Sequence, residues 1–132
     1  KASALENIRF DLALENGFGE DADFGMQLRK SGIDILYNPF LRLLHLKSPV
    51  GGFRKPVDKP WDSENPSPKP APTVLASILK HATPSQIKGY KTLLFLKFYR
   101  LQQIKNPFFY FRQMQKRWKI SLFWAQKLLN KK

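Results

Sequence analysis

The sequence predicts an α/β chain, with short helices and two or three short strands at the front, then a proline-rich strap and a helical C-terminal tail. Three observations carry this. "EDADFGMQLRKSG" has helical spacing and stops at a glycine, and the strand-like runs "IDILY" and "LRLLHL" follow it. Prolines recur every few residues from Pro56 to Pro72. Beyond Thr73, apolar residues return every three or four positions, the period of an amphipathic helix.

In chain order, "SALENI" reads as a short helix, with Ser3 as N-cap and Glu6 three residues on. "GFG" is a loop. The next helix is predicted from about Glu20 to Lys30, with acids at its start and Arg29 and Lys30 at its end, which suits the helix dipole. Gly32 fits the left-handed position just past a helix end. Phe24 and Leu28 share one face of that helix. "NP" after "IDILY" marks a turn. The Pro56–Pro72 stretch is a strap with little regular structure. A short helix from Thr73 to His81 follows, and His81 reads as a charge at its C-terminus, as Arg29 and Lys30 do at theirs. "TPSQ", Thr83 to Gln86, combines an N-cap, a proline at the first helical position and a glutamine at the third. From there Ile87, Tyr90, Leu94, Phe98 and Leu101 form an apolar stripe out to about Lys105. Asn106-Pro107 restarts the pattern, and Phe111, Met114, Trp118, Leu122, Ala125 and Leu129 form the next stripe. The divisions are therefore 1–55, a linker at 56–72, and a basic helical tail at 73–132.

Composition excludes several classes. There is no cysteine, so disulfides and thiolate metal sites are ruled out. No apolar run approaches the roughly 20 residues that span a bilayer. The net charge is +13, unevenly placed: residues 1–50 hold six Lys/Arg and seven Asp/Glu, and residues 51–132 hold seventeen and three. No acid follows Glu64. A balanced front and a strongly basic rear point to two jobs.

The acids of the front are concentrated. Glu15, Glu20, Asp21 and Asp23 fall within nine residues, with Gly17 and Gly19 among them and Gly25 after. Such a cluster repels itself unless a metal, a proton or a cation uses it. Asp21 and Asp23 straddle a helix start, where the dipole favours anions. A carboxylate there can take a proton from an attacking alcohol or help hold a divalent cation; plain helix capping is the other reading. "EDADFGMQLRKS" lacks the alternating ligands and closing Glu of a calcium loop.

The wider stretch "FDLALENGFGEDADFGMQLRKSGIDILYNPFLRLLHL" resembles the C-terminal part of the catalytic domain of family 2 glycosyltransferases of the GT-A fold. In that family an acidic "ED" pair opens a helix, Arg and Gly close it, a strand with a proline follows, and a His comes after. Here these stand as Glu20-Asp21, Arg29, Gly32, "ILYNP" and His45. "HLKSPVGGFR" is similar to the family's continuation. The resemblance covers roughly residues 1–55, and the tail is more weakly similar to bacterial members. It implies an α/β partial GT-A unit and an inverting transfer of a sugar from a nucleotide-sugar donor to a hydroxyl of a glycan or lipid-linked acceptor, in cell-envelope or surface-polysaccharide synthesis. Asp21 would be the general base, and Glu20 or Asp23 would orient it or the acceptor. His45 is either a metal or diphosphate contact or a packed strand histidine. Gly51, Gly52 and Arg54 form either a diphosphate-binding loop or an ordinary turn with a solvated arginine. A divalent metal, Mn or Mg, would be held mostly by a nucleotide-binding half upstream. Without that half, this stretch alone is expected to be inactive.

From Asn65 to Lys132 there are fourteen Lys/Arg and eleven aromatic residues. Basic helices with Trp118, Trp124 and phenylalanines suit a membrane interface. Packing within the protein is the competing use. Nucleic acid is the weaker rival, because no nucleic-acid motif is present and the aromatics follow core-like stripes. The expected location is cytoplasmic, peripheral on the inner face of the plasma membrane. The competing class for the whole chain is a non-enzymatic basic binding module for membrane or nucleic acid.

Overall fold

The computed structural model describes residues 5–15, 18–42, 58–103 and 105–130. Among the described residues, a 3₁₀ turn at Leu12–Leu14 is followed by four α-helices: α1 (Glu20–Lys30), α2 (Pro72–His81), α3 (Pro84–Leu101) and α4 (Pro107–Leu129). Among the described residues there is no strand, so the α/β expectation, the partial GT-A unit included, is overturned by an all-helical architecture. "IDILY" is the instructive case. Leu36 and Tyr37 are 90% and 89% exposed and run without regular structure. An apolar run becomes a strand only when a neighbouring strand accepts its ladder hydrogen bonds, and none of the described residues does. The turn at Asn38-Pro39 does form, closed by the Asn38 side chain accepting from the Phe40 N–H at 2.9 Å. Of "LRLLHL", Leu41 and Arg42 are irregular, and the remainder lies outside the described residues.

The helix boundaries follow local chemistry closely. Ser31 caps α1, and Gly32 takes φ +74° behind it. The Gly32 N–H reaches the Arg29 carbonyl and the Ile33 N–H reaches the Leu28 carbonyl, both at 3.1 Å, which satisfies carbonyls the helix end would otherwise orphan. At α3 the reciprocal capping box is complete, with the Thr83 N–H donating to Gln86 at 2.8 Å and the Gln86 N–H to Thr83 at 3.3 Å. α3 ends at Leu101, short of the expected Lys105, because Gln102 turns extended. Asn106 then caps α4 by accepting from the Phe109 N–H at 3.2 Å.

The core sits where α2 and α3 meet α4. Leu75 and Ala76 of α2, Phe95 of α3, and Tyr110, Met114, Trp118 and Ala125 of α4 are buried together, with Leu14 from the front of the chain. The inward stripe of α4 holds the expected Met114, Trp118 and Ala125, with Leu122 and Leu129 partly buried against the core, and is widened by the buried Tyr110 and Ser121, whereas Phe111 is exposed. Small residues explain why Ser121 joins it. Ala76 and Ser77 on α2 and Ser121 and Ala125 on α4 are all buried, and small side chains let two helices approach closely. Aromatic rings fill the other side, Phe95 lying edge-on to Trp118 at 6.5 Å and Tyr99 beside Tyr110 at 5.0 Å. The Tyr110 hydroxyl donates to the Phe95 carbonyl, so this buried phenol is not left unpaired.

The proline-rich strap lies against the tail. Trp61 is buried, 6.1 Å from Trp124 between ring centres. Trp124 donates its indole N–H to Glu64 at 2.8 Å, and the Lys69 N–H donates to the Arg117 carbonyl at 3.3 Å. The Lys69 ammonium rests 4.0 Å above the Phe98 ring. All three tryptophans thus make contacts within the protein: Trp61 and Trp118 are buried, and the partly buried Trp124 packs on Trp61 and bonds Glu64.

Leu75 has no exposed surface and lies at the centre of this packing. Leu75→Ala should cost about 2–5 kcal/mol of unfolding free energy, read by urea denaturation followed by circular dichroism.

Candidate functional site

The acidic stretch divides in the folded chain. Asp21 is exposed in the first turn of α1, and Glu20 is half-buried. Asp23 faces inward with 0% exposure. Two residues apart on a helix is a rotation of about 200°, so one carboxylate must look out if the other looks in. Gly19 precedes the helix at φ +111°, and a Cβ there would lie 3.4 Å from that of Ser77 on α2. The start of α1 is therefore set close against α2. The Phe18 N–H donates to Thr73 of α2 at 3.0 Å and fixes the same approach.

Asp23 is held by two residues at the end of α2. One carboxylate oxygen lies 2.6 Å from His81 Nε2 and 2.9 Å from Lys80 Nζ. The other lies 3.1 Å from Lys80 Nζ and 2.7 Å from Gln27 Nε2, one turn along α1. A carboxylate only accepts, so His81 Nε2 carries the proton that it donates. Lys80 also bonds Asp11 at 2.9 Å, and Asp11 caps the 3₁₀ turn by accepting from the Ala13 N–H at 3.1 Å. Burial pushes the Asp23 carboxyl up, but hydrogen bonds from Lys80, His81 and Gln27 and the Lys80 charge outweigh it and hold it below the ordinary 3.8. Burial pushes the Lys80 ammonium down, but its bonds to Asp23 and Asp11 outweigh that and hold it above the ordinary 10.5.

This cluster is a latch between α1 and α2, and its members were mostly missed from sequence. His81 stands in the last turn of α2, as the sequence predicts, and its ring is in addition turned onto Asp23. The resemblance makes Asp23 a residue that orients Asp21 or the acceptor; in the folded chain its oxygens are taken by Lys80 and His81 of α2 and Gln27 of α1. A signal existed: Asp23 and Gln27 fall on the same helical face as Phe24 and Leu28. An acid on an inward face demands a cation, and "KH" ends the next helix.

Chemically, Asp23 and His81 are an acid–base pair lacking a nucleophile: no described serine or threonine hydroxyl is hydrogen-bonded to His81. Its Nδ1 is buried with no partner among the described residues. Nor does the pair suit a metal, since the Asp23 oxygens already serve Lys80, His81 and Gln27, and no group of three or more His, Asp or Glu among the described residues could hold one. Beside the latch opens a cleft of about 620 Å³ walled by Arg9, Phe10, Asp11, Gln27 and Lys80, with Asp21 not among its walls. His45 and Gly51, Gly52 and Arg54 lie outside the described residues. Arg29 and Lys30 are exposed in the last turn of α1, as expected of C-terminal charges. No family model, no curated protein and no solved structure matches this chain.

The latch gives stability a definite pH window. A carboxyl whose folded pKa is lowered stabilises fully above its unfolded value and loses that stabilisation as pH falls through the folded one. An ammonium whose pKa is raised stabilises fully below its unfolded value and loses that as pH rises through the folded one. The latch is therefore at full strength between the unfolded values of 3.8 for Asp23 and 10.5 for Lys80. Asp23→Asn should cost about 3–5 kcal/mol at neutral pH, the usual cost of removing one partner of a buried pair. It should also flatten the acid limb of the stability profile, measured by thermal melts over about pH 2 to 8.

Proposed function

We propose that this chain is the acceptor-side portion of an inverting glycosyltransferase. It would transfer a sugar from a nucleotide-sugar donor to a hydroxyl of a glycan or lipid-linked acceptor in envelope or surface-polysaccharide synthesis. The observation that supports this most is the split of "GED…D": Asp21 exposed at a helix N-terminus, on a helix that Asp23 locks in place. A general base needs a carboxylate that substrate can reach and a scaffold that does not drift. Asp21 would take the proton of the acceptor hydroxyl as its oxygen attacks the anomeric carbon. The bond from that carbon to the nucleotide diphosphate would break on the opposite face, and the diphosphate would leave with the electron pair. Inversion follows from that in-line geometry. The reading rests on the motif and on the exposure of Asp21, and needs no sheet within the described residues.

The divalent metal implied by the motif would be held by residues outside those described, and no step above is routed through it. The protein would work at the inner face of the plasma membrane as a peripheral protein. Among the described residues no helix is long and apolar enough to cross a membrane.

In the natural full-length protein, Asp21→Asn should lower turnover by about 100-fold or more with donor affinity little changed, as expected for loss of a general base. Turnover would be followed by release of the nucleotide from a panel of nucleotide sugars. An Asp21→Asn protein of full activity removes Asp21 as the base. A folded natural protein with no transfer or hydrolysis on any donor favours the binding-module reading instead.

A further inference from the structure

The outer faces of α3 and α4 carry features the core leaves unused. On α3, Leu93, Leu96, Lys97, Arg100 and Leu101 line one shallow surface groove, as expected for positions three and four apart. On α4, the face opposite the buried Tyr110, Met114 and Trp118 presents Phe108, Arg112, Lys116, Lys119 and Phe123, all exposed. Leu101 and Phe108 flank the turn that joins the helices and are 71% and 86% exposed. Beside Phe109, the strap and α4 enclose a cleft of about 400 Å³ walled by Asn65, Pro66, Phe109, Arg112, Gln113 and Lys116. Its walls hold two cations and two amides and no acid. The last acid before this surface, Glu64, is engaged by Trp124.

We propose that this elbow is the surface by which the protein docks on an anionic phospholipid membrane, with lipid phosphates at Arg112 and Lys116 and the Phe and Leu tips entering the interface. Charge decides the class of partner, because a surface with cations and no acids calls for an anion. The leucines decide among anions. Leu93, Leu96 and Leu101 gain from hydrocarbon, whereas a nucleic acid rewards stacking rings and offers aliphatic side chains little. Docking uses the outside of a folded helix pair, since the inward faces of α3 and α4 are already spent on the core. The inference rests on the membrane location proposed above and not on sugar transfer. Trp118 and Trp124 are packed, so tryptophan fluorescence is not its readout.

The test is sedimentation of the natural full-length protein with phosphatidylcholine vesicles, with and without about one-third phosphatidylglycerol. The natural protein should bind the anionic vesicles, keep part of that binding at high salt, and ignore the neutral ones. Two triple variants separate the contributions. Arg100→Gln with Arg112→Gln and Lys116→Gln should weaken low-salt binding about 100-fold, at about fivefold per basic residue near an anionic surface. Leu96→Ser with Phe108→Ser and Phe109→Ser should bind at low salt and lose the salt-resistant fraction. All six positions are exposed, and unchanged circular dichroism would confirm folding. Binding by both folded variants equal to the natural protein overturns the elbow while leaving a membrane location intact. No binding of the natural protein to anionic vesicles at low salt overturns the elbow and the membrane location together. Displacement from vesicles by a single-stranded oligonucleotide that itself binds with salt resistance assigns the face to nucleic acid and overturns the proposal. Transfer activity assayed in detergent stands or falls independently of all three.

Discussion

One buried carboxylate joins the two halves of this protein. Asp23 is fully enclosed, and its contacts with Lys80 and His81 bridge 57 and 58 positions of sequence. Enclosing an unpartnered carboxylate would cost several kcal/mol. The geometry offsets this with four contacts shared among an ammonium, an imidazole and an amide. Such a pair adds little net stability compared with an apolar substitute, but it is exacting about position. The observed seating of α1 on α2 brings Asp23 to both Lys80 and His81.

That seating depends in turn on the tail. α2 is a ten-residue helix, too short to persist alone in water. It is held because Leu75 and Ala76 are packed against α4, and α4 is held by Phe95 of α3 and by the strap through Trp61, Glu64 and Lys69. The order of dependence runs from strap to α4, to α2, to the latch, to α1. The proline-rich stretch, which sequence marks only as a linker, is thus a fastening that lies several contacts upstream of the acidic motif.

What was legible in the sequence was what short-range chemistry decides. α1 forms at Glu20–Lys30 because acids, basic residues and Gly32 mark both its ends, and Thr83, Pro84 and Gln86 write the start of α3 in four letters. What was illegible depends on distant partners. "IDILY" has the pattern of a strand, but a ladder needs a second strand. The stripe of α4 is legible at Met114, Trp118 and Ala125 but not at Ser121 or Tyr110, because the burial of a polar residue depends on how closely α2 and α3 approach. The latch escaped because His81 and Asp23 each had an adequate local explanation, as helix-end charges on separate helices. The one hint against it was an acid among the inward positions of α1.

The uneven charge of the chain follows from the same arrangement. Asp11, Asp23 and Glu64 are each engaged by Lys80, His81 or Trp124, so these acids work as fasteners between segments. The cations of α3 and α4 have no acids downstream of Glu64 to answer them, and neutral partners such as aromatic rings and amides take up some, as Lys91 does at 3.0 Å from Gln115. A helix pair that is apolar within and basic outside can keep its fold without spending its charge. This separates the two properties that an amphipathic peptide must satisfy with one face: burial secures α2, and through it the latch, while the cations remain available to an outside anion. Substitutions on the outer face of α4 can therefore change what the protein binds without loosening Asp23, whereas substitutions on its inner face loosen α2, Asp23 and the scaffold of Asp21 together.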